Sequence, residues 1–434
     1  MQTQDIEALV KGAGIVQIFS LDLNGKPMTV HVNPALLPTL AETGIGFDAS
    51  SVAGMATVED SDRLVVPLPE TFRVVRFRDE TLGFVIGKIH GQDGTRSASD
   101  TRAVLERVLD RAESDHGCRF LAGPEYEFFL LTGDELADDL HSDQAGYFDA
   151  PPHDKGDVVR KRIVDVLAGC GIPFEKAHHE VTASQHEINL PAAAPLDAAD
   201  RTVLFNYVAR RVAAEHGLHA TFMPKPFDDQ NRNAFHIHLS MQDADGRNRF
   251  HDAAAEHRLS ETARRFIGGV IRYARQASIL MASTHNSYKA YVADREAPVV
   301  RGWGIRNRSA MVRIPHATGP ESTRIELRSP DPAGNVYLQF AALIAMGLRG
   351  IEEKLDCGRP DRGRAYQRRR GRVRDPRYLP TCMFEALAEA ERSAFLKELL
   401  GETLFERYLD LKTADWEEHR TRVTALECQK YLSR

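Results

Sequence analysis

At 434 residues, 42% of them apolar, the chain is long enough for two domains and a large buried core. A net charge of −6, with the acids dispersed along the chain, excludes nucleic acid and anionic membrane as general partners and points to small molecules. The five cysteines (Cys118, Cys170, Cys357, Cys382, Cys428) lie far apart and form no CxxC pair, so neither a thiolate metal centre nor a disulfide framework is indicated, and no apolar run reaches the roughly 18 residues of a membrane span.

The N-terminal MQTQDIEALVKGAGIVQIF has no basic start followed by a sustained apolar run, so a cytoplasmic location is expected. Strand-like runs at 14–22, 27–32, 62–68, 72–77 and 83–89, separated by Asn24-Gly25 and other turn signals, mark residues 1–98 as a small β-rich domain. From Thr101 onward, apolar residues spaced by three and four predict helices over 101–117, 157–171, 199–217, 261–281 and 335–355. These alternate with strands, so residues 99–434 are expected to form a larger α+β domain whose helices cover the outside of a curved sheet. Residues 358–377, rich in Arg, Gly and Pro without apolar periodicity, are expected to be an exposed loop. The C-terminal end returns to helix, and there is no internal repeat.

Three strands carry charge where a buried face should be apolar: Glu125 and Glu127 in GPEYEFFLL, His236 and His238 in FHIHLS, and Arg324, Glu326 and Arg328 in RIELRSPD. Side chains at i and i+2 share a face of a strand, so each stretch offers its polar groups to one side and Phe128, Leu130, Ile237 or Leu327 to the other. An isolated ExE is ordinarily an exposed polar face. Three such strands, joined by Glu180 and Glu187 in HHEVTASQHEINL, describe a polar cup instead, because buried charge is costly without a partner. Five carboxylates with His236 form a hard, oxygen-rich set that suits Mg²⁺ or Mn²⁺, and two ions could be held. The arginines Arg306, Arg308 and Arg313, with Arg324 and Arg328, add planar forks that match phosphate or carboxylate oxygens. Beside paired metals they suggest phosphoryl chemistry. No GxxxxGK[ST] loop is present, so any ATP is held by another arrangement.

With these residues in view, the chain resembles the glutamine synthetase family, type I, over nearly its whole length. The resemblance is carried by GPEYEFF, HHEVTASQHEI, HATFMPKPF, FHIHLS, NSYK, EAPV, RNRSAMVRIP, RIELRSPDPAGNVYLQFAAL and, near the N-terminus, GFDASSVAG. It implies a small N-terminal β-grasp-like domain followed by a large α/β half-barrel catalytic domain, assembled as a homo-oligomer of two stacked rings, dodecamer-like, with active sites between neighbours. It also implies ATP as co-substrate and two or three Mg²⁺ or Mn²⁺ ions per site. Position by position, Glu127, Glu180 and Glu187 would hold one ion, and Glu125, His236 and Glu326 another. His238, Ser240 and Arg324 would lie by the nucleotide, while Arg308, Arg313 and Arg328 would meet the transferred phosphoryl group and the acid's carboxylate. Asp48 from a neighbouring subunit and Glu296 on a flap would bind and deprotonate the amine. The implied reaction is phosphorylation of a carboxylate by ATP, followed by displacement of phosphate from the acyl phosphate by an amine or ammonia.

The chain departs from the family pattern where the amino acid is held. The family's Asn-Ser-Tyr-Lys-Arg ends here in Ala290, and that arginine grips the α-carboxylate of glutamate. The glycine-rich Asn-Gly-Ser-Gly reads Asn231-Arg232-Asn233-Ala234, so Arg232 either supplies a cation from another direction or closes the pocket. Asp294, Arg295 and Glu321 also differ from the family pattern, and the Asn-Leu-Tyr loop that is modified in some members is not recognisable around Tyr366. The leading expectation is therefore an ATP-dependent carboxylate–amine ligase with a non-standard acid, amine or both. Glutamine synthesis from glutamate and ammonia comes next. A catalytically silent scaffold and a phosphotransferase that stops at the phosphorylated acid are weaker alternatives, because the first has no use for the metal ligands and the second none for Asp48 and Glu296.

Overall fold

A computed structural model describes residue 6 and residues 10–133, 140–292, 296–363 and 375–433. Asp294, Arg295, Tyr366 and most of the expected 358–377 loop lie outside the described residues.

The N-terminal region is a six-stranded sheet in the order β2 (Pro27–Val32), β1 (Val16–Leu21), β6 (Thr81–Gly91), β4 (Asp62–Pro67) and β3 (Ile45–Asp48), with β5 (Arg73–Arg76) also paired to β6. β1 and β6 run parallel; the other pairings are antiparallel. Val16 and Ile18 of β1 join Val32, Leu37, Val65, Phe72 and Val85 in a small core. Phe19 and Leu21, on the opposite face, belong to the main core, where the Phe19 ring meets those of Phe84 and Tyr207 at 4.6 and 5.0 Å. Burial on both faces explains why the apolar residues of GIVQIFSLD, interrupted by Gln17 and Ser20, do not alternate strictly with polar ones.

The turn after β1 joins the two regions. Gly25 has φ +86°, and a Cβ there would lie 2.8 Å from Asn335 Cα and Gly334 O. Only glycine fits so close an approach in the left-handed region. Asn335 accepts from the Tyr337 amide as N-cap of the helix Val336–Glu352, and its Nδ2 donates to Asp22 O at 2.9 Å. The small region thereby docks on the start of the most apolar helix of the large one.

That large region holds an eight-stranded curled half-barrel sheet in the order β12 (Trp303–Ile305), β13 (Val312–Ile314), β14 (Ile325–Leu327), β11 (Phe235–Gln242), β7 (Arg119–Leu131), β9 (Gln185–Asn189) and β8 (Lys176–His179), with β10 (His219–Thr221) paired to β7. Its outer face is apolar. Tyr126 stacks on Phe205 of the helix Pro195–Glu215 at 4.0 Å, Phe128 meets Phe205 and Phe222, and Phe235 stacks on Phe340. Alternation then turns Glu125, Glu127, His236 and His238 to the inner face.

Two expectations need correction. The periodicity over 261–281 predicts one helix, whereas the structure has Glu261–Tyr273 and Ser278–Met281. Between them the Ser278 hydroxyl donates back to Ala274 O, and the Arg275 guanidinium leaves the helical line to meet Glu389 and Tyr378 O. Such side-chain competition disrupts a helix that apolar spacing alone would continue. In RIELR only Ile325–Leu327 is strand, so Arg324 and Arg328 flank it.

Candidate functional site

Strand register assembles the cup in three rungs, because directly opposed residues of neighbouring strands share a face. On the first, His178 faces Glu187 and Glu187 faces Glu127; on the second, Asn189 faces Glu125 and Glu125 faces His236; on the third, His238 faces Glu326 and Glu326 faces Arg313. Ser240, half-buried on β11, continues the same face beyond His238.

Glu125, His236 and Glu326 converge, with one potential ligand atom from each lying within 4.8 Å of the others. Glu125 meets His236 Nδ1 at 3.0 Å and His238 Nε2 at 2.9 Å. Burial opposes ionisation of Glu125, but these imidazoles overcome it and hold the carboxyl well below the usual range. Glu326 is fully buried and accepts from both Arg313 and Arg328. Burial again raises its pKa, yet Arg328, the two histidines and Arg313 bring it down to about 2. Burial and the nearby Arg328 charge keep His236 neutral by lowering its pKa, and its Nε2 is buried without a hydrogen-bond partner among the described residues. Two ionised carboxylates and a neutral imidazole with an orphaned nitrogen fit a divalent cation.

The second cluster is His178, Glu180 and Glu187, with Glu127 beside it. His178 Nε2 lies 3.2 Å from Glu187 and its Nδ1 lies 3.6 Å from Glu180. Burial raises Glu127, and the charges of Glu180 and Glu187 raise it further. Burial and Glu187 push Glu180 up to about 7, with the exposed Glu296 adding to the repulsion. Glu187 is opposed by burial but lowered by His178 and Lys176. Three carboxylates that repel one another in a buried place need a cation, and these donors fit one as well.

A third group, Asp143, His179 and His186, is built differently. His179 Nε2 faces Asp143 Oδ1 at 3.0 Å and its Nδ1 faces Glu180 O at 2.7 Å, so both ring nitrogens donate. His186 Nδ1 accepts from Arg160 at 2.7 Å. No imidazole lone pair of this group is left for a metal, and the group serves as hydrogen-bonded support.

Around the nucleotide candidates, Arg324 Nε donates to His238 Nδ1 at 3.0 Å. Arg306 and Arg308 are exposed, while Arg313 and Arg328 reach the cup. Asp48 is exposed and accepts from Ser50 and Ser51 of its own turn, so the single chain does not join it to the cup. On the acid side, Ala290 is buried at the end of the short turn Asn286–Ala290. Arg232 is buried and donates to the carbonyls of Arg328, Ser329 and Pro330, with its guanidinium 5.9 Å from the Tyr291 ring. This geometry is that of an internal brace, which is neither the replacement cation nor the closed pocket that the sequence suggests. Half-buried Asn231 precedes it in a loop fastened by Lys225, whose Nζ donates to Phe227 O, Asp228 O and Gln230 O, and by Asn286, which pairs with the Lys225 backbone.

The sequence reading missed His178, Asp143 and the exposed pair Tyr147 and Phe148, whose rings stack at 4.2 Å and meet His178 edge-on at 5.5 and 4.7 Å. His178 could have been found from its place two residues before Glu180. The others lie on a loop whose sequence has no period to read.

Two family models match the chain: the glutamine synthetase β-grasp domain over residues 13–92 and the glutamine synthetase catalytic domain over residues 98–431. The chain is 38% identical to the glutamine synthetase of Mycolicibacterium smegmatis over 428 residues, covering 96% of each chain. It is 36% identical to that of Thermotoga maritima over 440 residues, covering all of both. Among solved structures, GmaS in complex with ADP superposes with a TM-score of 0.88 at 30% identity, covering 99% of this chain and 100% of that one. Glutamine synthetase of Plasmodium falciparum matches with a TM-score of 0.88 at 22% identity, covering 99% of each chain, and so shares the fold. No helix among the described residues is long and apolar enough to cross a membrane. The chain belongs to the glutamine synthetase family and is an ATP-dependent ligase that forms carbon–nitrogen bonds, in a family that uses divalent metals.

Proposed function

We propose that this ligase joins a small-molecule acid to an amine or ammonia, with a non-standard acid, amine or both, through an acyl phosphate made from ATP. The observation that carries the reading is uneven change. The cup keeps a full set of acids, imidazoles and arginines, whereas the position that would grip an α-carboxylate is the small, buried Ala290, and the neighbouring Arg232 spends its guanidinium on three backbone carbonyls.

In this scheme Glu127, Glu180 and Glu187, with His178 beside them, hold one Mg²⁺ or Mn²⁺, and Glu125, His236 and Glu326 hold a second. Bound there, the ions neutralise phosphate charge. His238, Ser240 and Arg324 face the nucleotide. Arg313 and Arg328, with Arg308 from its exposed loop, stabilise charge on the transferred phosphoryl group and orient the acid's carboxylate, so catalysis is mainly positioning and electrostatics. Asp48 of a neighbouring subunit in a double-ring homo-oligomer and Glu296 bind the incoming amine and take its proton as the carbon–nitrogen bond forms and phosphate leaves. Closure over the site keeps water from the acyl phosphate.

Phosphate release from ATP across a matrix of acids and amines, with Glu326→Ala as the inactive control, tests this. A hit with an acid lacking an α-carboxylate supports it; no release with any pair refutes it. A second reading, glutamine synthesis from glutamate and ammonia, is favoured by the 36–38% identity to glutamine synthetases. It requires saturation by glutamate at ordinary millimolar levels and a glutamate KM that depends on Arg232.

A further inference from the structure

We propose that Asp143 and His179 are positioning residues that fix Glu180 for metal binding; the inference rests on the reading of Glu180 as a metal ligand. Glu180 begins the turn between β8 and β9, and its carboxylate accepts from the adjacent Val181 amide at 3.1 Å. A bond to the next residue of the same turn leaves the direction of the carboxylate to the backbone beneath it.

That backbone is held at both ends. His179, fully buried, donates from Nδ1 to Glu180 O at 2.7 Å and from Nε2 to Asp143 Oδ1 at 3.0 Å. The same Asp143 oxygen accepts from the Ser184 amide at 2.9 Å at the far end of the turn. Ser184 has φ +61°, a conformation costly for a residue with a Cβ unless its surroundings enforce it. Its hydroxyl accepts from the amides of Ser142 and Asp143 at 2.7 and 3.1 Å. Asp143 thus pins the start of the turn through His179 and the end through Ser184.

A second layer supports the first. His186 packs edge-on against His179 at 4.8 Å and accepts from Arg160, which Asp154 grips through both oxygens at 3.0 and 2.5 Å. Gly156 lets the ring lie close, since a Cβ there would come within 2.3 Å of it. This investment of buried charge has a purpose at this turn. Glu127, Glu180 and Glu187 repel one another, and a loosely held turn would relieve the repulsion by swinging Glu180 outward. The Glu125–His236–Glu326 cluster needs no such device, since its members come from three paired strands.

Outer-shell partners of metal ligands typically contribute about 10–100-fold in affinity. The test is a Mn²⁺ titration of the full-length protein by electron paramagnetic resonance, with Glu180→Gln identifying which site is which. Wild type is expected to show both sites. Asp143→Asn and His179→Gln should each weaken the Glu180 site about 10–100-fold and leave the other within about twofold, while adding nothing to the loss in a double variant with Glu180→Gln. Equal weakening of both sites, or no weakening, overturns the inference. Absence of Mn²⁺ binding to wild type overturns the underlying site reading instead. If His179→Gln does not fold, the near-isosteric Asp143→Asn decides alone.

Discussion

At the scale of single residues, the cup works by making neighbouring acids differ. Glu326 stays ionised between two arginines, whereas Glu180, pressed against Glu187, sits near 7 and Glu127 is raised with it. A proton on Glu180 competes with a metal ion there, so binding releases it. Affinity of this site is expected to rise with pH through about 7 as Glu180 loses its proton; Mn²⁺ titrations below and above that pH check it, and a flat profile contradicts it. On the acid side, Ala290→Arg should restore a cation for an α-carboxylate and improve glutamate affinity by at least about tenfold, at the low end of what a desolvated charge pair contributes; the KM for glutamate in the phosphate-release assay reads this. Arg232→Met, by contrast, should act on stability. It leaves three carbonyls without their charged donor, at a cost of roughly 1.5–3 kcal/mol per hydrogen bond, and is expected to lower the unfolding midpoint more than it changes acid affinity. The acids of the cup were legible because charge at i and i+2 on an otherwise apolar strand is too costly to bury without a cation or a proton to meet it. The clamp behind them was not, since Asp143 and Ser184 act through backbone amides in loops, where no spacing announces a partner.

Elements were legible to the extent that their burial is periodic. Both sheets and the long helices follow from alternation and three-to-four spacing, and β1 from its apolar-rich, β-branched stretch, because each is buried along its length. The break after Tyr273 was hidden, since Arg275 has a suitable helical spacing and leaves the helix only for partners more than a hundred residues away, at Tyr378 and Glu389. The docking of the Asn24-Gly25 turn was equally hidden: the sequence marks the turn but not the helix start it meets. Gly25→Ala would force a Cβ to 2.8 Å of the Asn335 backbone at a left-handed φ. Strain of about 1–3 kcal/mol is expected, with loss of the Asn335 bond to Asp22. A lowered thermal midpoint, with faster amide exchange at the start of the helix Val336–Glu352, checks this.

For the whole molecule, the proposed site is not completed within a single chain. Its cup holds the candidate metal ligands and arginines, but the side chain of Asp48, proposed to bind the amine, faces solvent on the edge strand β3 and, among the described residues, bonds within its own turn. The C-terminal segment around the helix Ala425–Tyr431 leaves Val423, Leu426 and Leu432 exposed at 73%, 57% and 83%, apolar surface of the kind that assembly covers. If Asp48 completes the cup of the next subunit, the site is heterologous and closes into a ring. Asp48→Ala and Glu326→Ala would then each be inactive alone, for different reasons in different chains. Mixed in equal amounts and reassembled, they form some sites with Asp48 from one chain and Glu326 from the other, and random mixing restores about a quarter of wild-type activity. If Asp48 instead served its own chain, every chain in the mixture would carry one lesion and no activity would return. Phosphate release before and after mixing, with size-exclusion chromatography to confirm reassembly, therefore separates a shared site from a self-contained one without requiring the acid substrate to be glutamate.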